Sequence, residues 1–220
     1  MTAFDITIVS DTVCPWKCYV GKKKLERGIS LYKSAHPDSN DTFSTTWKPF
    51  YLNPEAPKVS VDKQEFYKSK FGEAKAETMF SRMTMIGKDV GINFSFGGRT
   101  GNTRDSHRLI QLGKSKGPHQ QTRVVEELFT SYFEKAGDIT SHDMLLEASV
   151  KAGLSESEAK AWLESDNGGR EVDEEVADAQ ARRVSGVPNF LLQSKYEIGG
   201  AQDAEAFARA FEKIKDIEGS

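Results

Sequence analysis

The apolar residues of this chain change their spacing along its length, and the order of those changes limits the folds open to it. Phe4-Asp5-Ile6-Thr7-Ile8-Val9-Ser10 begins with the two-residue alternation of a strand, and Tyr19 to Ala35 follows with helical spacing at Tyr19, Val20, Leu25, Ile29 and Tyr32. Thr42 to Leu52, with Phe43, Trp47, Phe50 and Tyr51, reads as a second strand stopped by Asn53-Pro54. Near the other end, Ser185-Gly186-Val187-Pro188 leads into a short strand over 189–193, with Lys195 to Ile198 as its hairpin partner. Asp203 to Ile217 closes as an amphipathic helix with Phe207, Phe211 and Ile214 on one face. Between these ends the chain is mainly helical: Glu65 to Phe71, Glu73 to Val90, His107 to Lys116, Gln120 to Lys135, Ser141 to Ala152 and Ser155 to Ser165. A βαβ unit and a ββα unit held apart by helices predict one α/β sheet interrupted by a helical insertion. The expected division is residues 1–61 with 184–220 for the sheet and 62–183 for the insertion.

Composition removes several function classes. Thirty Lys and Arg against 33 Asp and Glu give a net charge of −3, which argues against a nucleic-acid binder. No run approaches the about 20 apolar residues needed to span a bilayer. Met1 to Asp5 has neither a basic nor an apolar region, so a cytoplasmic protein without a secretory signal is expected, monomeric or homodimeric. Twelve acidic and four basic residues lie between Asp138 and Arg182, which predicts helices with solvated acidic faces.

The two cysteines, Cys14 and Cys18, are four residues apart. They cannot form a disulfide scaffold, and a bridge between them would close a tiny loop worth little chain entropy. Close-set cysteines in a reducing compartment more often do redox or metal chemistry. His36, His107, His119 and His142 show no ligand spacing toward them, so no metal is expected. Cys14 follows a strand and opens a helix, where the unpaired N–H groups and the helix dipole favour a thiolate. Pro15 suits the first helical turn because it has no N–H to lose. Lys17, Lys22, Lys23 and Lys24 add positive charge, most of it expected on a solvated helix face.

These residues, Ser10-Asp11-Thr12-Val13-Cys14-Pro15-Trp16 and Cys18-Tyr19-Val20-Gly21-Lys22, resemble the active-site segment of FrnE-like members of the DsbA thioredoxin-fold family. The resemblance extends through 47–54, through Gly91-Ile92-Asn93-Phe94 and 102–109, and through 185–190 and 199–202. It implies a thioredoxin-like fold with a large α-helical insertion, a nucleophilic Cys14, a resolving Cys18 and a cis Pro188. It also implies that the Val187 backbone binds a peptide or glutathione by strand addition. Pro15, Trp16, Lys17, Tyr51, Asn102 and His107 are then the expected substrate-binding residues, with Arg108 adding to a positive rim and Phe50 to an apolar wall. Asn102 also has a local reading as a helix cap. No tightly bound cofactor is expected; glutathione is the expected co-substrate, and the partner is a thiol or disulfide on a protein or a small molecule.

One departure sits in the motif itself. The family pattern is Cys-Pro-Trp-Cys, whereas Lys17 here makes Cys14-Pro15-Trp16-Lys17-Cys18. In an α-helix, Cα atoms four apart lie about 6.2 Å from each other, near the edge of the disulfide range, with Cβ atoms about 6 Å apart against the ~3.8 Å a disulfide wants. The pair can meet only if Lys17 is absorbed in a looser first turn or a π-type bulge. If it is absorbed, a thiol–disulfide oxidoreductase follows. If not, Cys14 acts alone, as in a glutathione-dependent isomerase or transferase of the kappa-class or hydroxychromene-carboxylate-isomerase type, a small polyketide-like molecule being one substrate. A binding module that keeps the cleft without the chemistry is the third reading.

Overall fold

A computed structural model describes residues 1–218, and at Pro15 and Trp16 the backbone only. Its sheet has four strands: β1 (Ala3–Ser10), β2 (Thr42–Pro49), and a C-terminal pair. They lie in the order β2-β1-β5-β6, where β5 is Asn189–Leu192 and β6 is Tyr196–Gly199. β1 and β2 run parallel from Ala3 opposite Thr42 to Ser10 opposite Pro49. β5 runs antiparallel to β1, with Ile6 facing Leu192 and Val9 facing Asn189, and β6 returns antiparallel to β5. This register puts Phe4, Ile6 and Ile8 on one buried face of the central strand.

Helices α1 (Val20–Ala35) and α9 (Ala204–Glu218) pack together against that sheet. Their approach is close because Gly28 has no Cβ. A Cβ there would sit 2.6 Å from Cβ of Phe207 and 2.8 Å from the Ala204 carbonyl. The expected face of the last helix, Phe207, Phe211 and Ile214, is buried. Phe4 stacks on Phe43 at 4.8 Å and meets Tyr32 and Phe211 edge-on, geometries that aromatic pairs favour.

Between β2 and β5 the chain is built mostly of helices. They are α2 (Lys63–Phe71), α3 (Glu73–Val90), α4 (Arg104–Ser115), α5 (Pro118–Phe129), α6 (His142–Lys151), α7 (Glu156–Glu164) and α8 (Gly169–Ala181). A two-residue ladder joins β3 (Val61–Asp62) to β4 (Arg99–Thr100). No helix among the described residues is long and apolar enough to cross a membrane.

Several expected boundaries move, each for a local reason. The second strand ends at Pro49 and not Leu52, because the Phe50 N–H turns to the Ser10 carbonyl and the Leu52 N–H to the Asp11 carboxylate. The fourth helix starts at Arg104, ahead of His107, since Asn102 Oδ1 accepts the Arg104 N–H at 2.9 Å. Helix α8 starts at the Gly168-Gly169 break that reads as a loop in sequence. Gly168, at φ 75°, turns the chain into it. The acidic stretch is partly paired: Arg104 holds Asp166 and Asp173, and Lys114 holds Glu175.

The edge of the sheet at β2 is closed by a side chain. Gln121 of α5, fully buried, accepts the Trp47 N–H at 3.0 Å and donates to the Trp47 carbonyl at 2.8 Å. An edge strand otherwise presents unpaired N–H and C=O groups, and here the amide mimics a further strand. Gln121→Leu leaves two buried backbone groups without partners. It should lower stability by about 2–4 kcal/mol at unchanged m-value in urea unfolding, whereas an unchanged midpoint would remove Gln121 from this role.

Candidate active site

Cys14 stands in extended conformation (φ −88°, ψ 97°) at the head of a π-turn, Pro15–Tyr19, which runs directly into α1. Hydrogen bonds of a π-turn run from i to i+5 and not i+4, so each turn holds about one more residue. The wide turn therefore absorbs Lys17, the extra residue of the motif. Cys14 and Cys18 are free thiols, and each shifts the pKa of the other.

That interaction separates the two groups electrostatically. The Cys18 thiol lowers the Cys14 pKa below its ordinary 9.0, against burial and the nearby Asp11 carboxylate, which push it up. Cys18 moves the other way: burial first, then the neighbouring Cys14, push its thiol well above 9.0. One sulfur is thus prepared as a thiolate and the other as a proton donor. Cys14 is nevertheless only 4% exposed. Lys22 does not lie on a solvated face. It is buried, and its ammonium is bound by Glu26 at 2.5 Å and by Glu126.

Contacts on several sides pin the turn. At its far end, the Tyr19 hydroxyl donates to Glu134 at 2.6 Å, and its ring packs on Phe129 and Phe133. Glu134 belongs to a second π-turn, Thr130–Glu134, that continues α5. Before the turn, the Cys14 N–H donates to the Asp11 carbonyl at 3.1 Å, and Asp11 Oδ2 accepts the Leu52 N–H at 2.7 Å. Thr12 and Ser106 of α4 join their hydroxyls at 2.8 Å. Opposite, the Val187–Pro188 peptide is cis, and Cys14 Sγ donates to the Val187 carbonyl at 3.7 Å. The loop comes this close because Gly21 leaves room: a Cβ there would lie 3.2 Å from Phe190 and 3.3 Å from Pro188.

A cavity of about 440 Å³ opens beside Cys14. Of the expected site residues, Cys14, Lys17 and Val187 line it, and Cys18 lies behind them, 1% exposed. Pro188 packs toward Gly21. The side chains of Pro15 and Trp16 lie outside the described residues. The other expected residues do not reach the cavity. Asn102 spends its side chain on the start of α4, although Gly101 and Thr103 beside it are lining residues. His107 is buried behind the site, Nε2 3.5 Å from Asp11 Oδ1 without hydrogen-bond alignment, and packs on Tyr51 at 5.8 Å. The Tyr51 hydroxyl is buried without a partner. Phe50 packs against the core. Arg108 forms no positive rim. Its guanidinium is consumed by the carbonyls of Trp162, Ser165 and Asn167 and by Asp105.

The cavity walls that sequence reasoning missed come from α2 and α3: Phe66, Tyr67, Phe71 and Met79, with Tyr132 below. The available signal was a short helix carrying three aromatics among charged residues, more apolar surface than a solvated helix needs. Among the described residues no three His, Cys, Asp or Glu side chains converge as metal ligands.

Comparison with known proteins places this geometry. Residues 5–212 match the DSBA-like thioredoxin domain. Among solved structures, a probable DsbA oxidoreductase from Streptomyces coelicolor is 26% identical, covering 96% of this chain and 89% of that one, with a TM-score of 0.82. A 2-hydroxychromene-2-carboxylate isomerase shares the fold at 14% identity over 98% and 99% of the two chains, TM-score 0.69. So does the cytosolic disulfide reductase DsbM from Pseudomonas aeruginosa with GSH, at 13% identity over 96% and 98%, TM-score 0.61. No curated protein sequence matches the chain significantly. A DsbA-like thioredoxin fold, matched over nearly the whole length, makes this chain a member of the DSBA-like thioredoxin-domain family.

Proposed function

We propose that the protein is a thiol–disulfide oxidoreductase of the FrnE-like branch, with Cys14 as nucleophile and Cys18 as resolving thiol. The observation that carries this reading is the pair of free thiols at the two ends of the π-turn, with pKa values displaced in opposite directions. The Cys14 thiolate attacks one sulfur of a substrate disulfide, that S–S bond breaks, and one thiolate leaves with the electron pair. Cys18 then gives up its proton, attacks Cys14 Sγ in the mixed disulfide and expels the second thiolate. The substrate gains two electrons, and the protein becomes the Cys14–Cys18 disulfide. A glutathione-class thiol returns it to the dithiol. The glutathione in the DsbM neighbour supports that choice, and DsbM's cytosolic setting supports a cytoplasmic location. The helices between β2 and β5, residues 62–183, form the insertion domain that supplies one side of the substrate cleft, with 1–61 and 184–220 the thioredoxin-like domain.

A second reading, a glutathione-dependent isomerase or transferase, is favoured by one observation. The cavity beside Cys14 has the size of a small-molecule site and is lined by only one of the two cysteines. The two readings differ in whether Cys18 ever bonds to Cys14.

Equilibration in glutathione buffers of graded potential, followed by thiol trapping and mass spectrometry, separates them. The dithiol reading predicts a reversible loss of two hydrogens linking Cys14 to Cys18. A stable glutathione adduct on Cys14 alone, with Cys18 free throughout, would sink it. The pKa directions give a second prediction. In the reduced protein, iodoacetamide at neutral pH should alkylate Cys14 and leave Cys18 untouched, and the Cys14 rate should stay on its plateau as pH falls below 9.0 toward its own lower pKa. Equal modification of both cysteines would contradict the assigned roles.

A further inference from the structure

The cavity carries information about what reaches Cys14. Cys14 is 4% exposed and, with Val187, forms part of the cavity lining. A disulfide on a folded protein surface cannot approach a thiol set back in this way, whereas a molecule that enters the cavity meets it directly. About 440 Å³ lies within the range of sites for drug-sized ligands.

The chemistry of the wall narrows the class. On one side stand Phe66, Tyr67, Phe71 and Met79, and on the other Leu52. Leu52 and Phe71 remain 44% and 38% exposed, so apolar surface continues to the mouth and is not folded away. Three charged side chains line the cavity among the described residues: Asp11, Lys17 and Lys70. Asp11 is buried and committed to the Leu52 N–H. Lys17 and Lys70 are exposed, so the charge offered to a ligand is positive. The Lys70 ammonium lies 5.5 Å from the Phe66 ring centre and 5.7 Å from that of Phe71, which holds a cation beside the apolar wall. The Tyr67 phenol is pushed up by burial first and by the charge on Cys14 second, so it stays protonated and keeps a hydrogen to donate inside the cavity. Glutathione, polar along its length and charged at both ends, matches this wall poorly as the principal occupant.

We propose that the cavity between the Cys14 turn and helices α2 and α3 is the substrate site for a small aromatic or otherwise apolar disulfide bearing an anionic group, its body against Phe66, Tyr67, Phe71 and Met79 and its anion at Lys17 and Lys70. This rests on the thiol–disulfide reading above and adds the substrate class. The residue that lengthens the cysteine motif thereby gains a role, as a cation delivered to the mouth of the site. The exchange is the one already written: the substrate is reduced to two thiols, the Cys14–Cys18 disulfide forms, and a glutathione-class thiol that enters once the products have left restores the dithiol.

The reduced protein is mixed at neutral pH with dithiobis(nitrobenzoate), an aromatic dianion, with dithiodipyridine, a neutral aromatic, with oxidised glutathione, and with a cystine-bridged peptide. Each second-order rate constant is divided by that of N-acetylcysteine with the same reagent, which removes the reagent's own reactivity. Both aromatic disulfides should exceed glutathione disulfide and the peptide by about tenfold or more, the yield of burying one ring. In the Lys17→Ala, Lys70→Ala double variant, the ratio of the anionic to the neutral aromatic rate should fall about three- to fivefold, the size of one or two exposed ion pairs. That ratio is insensitive to any change in the Cys14 pKa. Met79→Trp, which fills the cavity, should lower both aromatic rates relative to glutathione disulfide. A peptide or glutathione disulfide reacting as fast as the aromatics, or a ratio unmoved by removal of the lysines, overturns the substrate class while leaving the thiol–disulfide reading intact. If mass spectrometry of Cys18→Ala, in which a mixed disulfide cannot be resolved, finds no adduct at Cys14 with any reagent, both fall together.

Discussion

The interaction between the Cys14 and Cys18 thiols depends on the width of the turn that joins them. With three residues between them, an α-helical turn would leave the Cβ atoms about 6 Å apart and the sulfurs without a common direction. The π-turn at Pro15–Tyr19, with Cys14 extended ahead of it, removes that obstacle. Everything chemical at the site follows from the contact. It lowers the pKa of one thiol and raises that of the other, the division that the proposed nucleophile and resolving thiol require. The cis Val187–Pro188 loop and the carbonyl facing Cys14 then close the site from the opposite side.

A wide turn needs support, because π geometry is rare in isolation. Support comes from both ends of the chain and from the helices between. Tyr19 is anchored to Glu134 and lies among Phe94, Phe129 and Phe133; Thr12 is tied to Ser106; Gln121 fastens α5 to the edge of β2. The helices of the middle segment thus do two things. Through α4 and α5 they brace the turn, and through α2 and α3 they wall the cavity beside it.

Much of this was legible in the sequence. The alternation at Phe4–Ser10, the Cys-Pro helix start and the Val187-Pro188 strand entry pointed to the sheet, the reactive pair and the proline loop. The motif's extra lysine posed the question that the π-turn answers, but sequence spacing could not choose between absorption and separation, because the outcome depends on Tyr19 finding Glu134 115 residues away. For Asn102 the local reading at a helix start is the one the structure shows, while His107 and Arg108 lie away from the cavity for a related reason. A polar residue at a helix start serves the backbone or a ligand equally well on paper, and here the start of α4, Asp11 and the 162–167 loop claim all three. The wall of α2 was hidden because Phe66, Tyr67 and Phe71 stand among lysines and glutamates, a pattern that reads as an ordinary exposed helix.

The most direct test of the thiol contact is a pH titration of thiolate absorbance in the reduced protein and in Cys18→Ala. If the Cys18 thiol stabilises the Cys14 thiolate, the intact protein shows a first transition below 9.0, and in Cys18→Ala that transition moves upward because the leading stabilising hydrogen bond is gone while burial and Asp11 remain. A first transition at the same pH in both proteins would mean that the sulfurs do not interact, and the assignment of Cys14 and Cys18 as a working pair would fail.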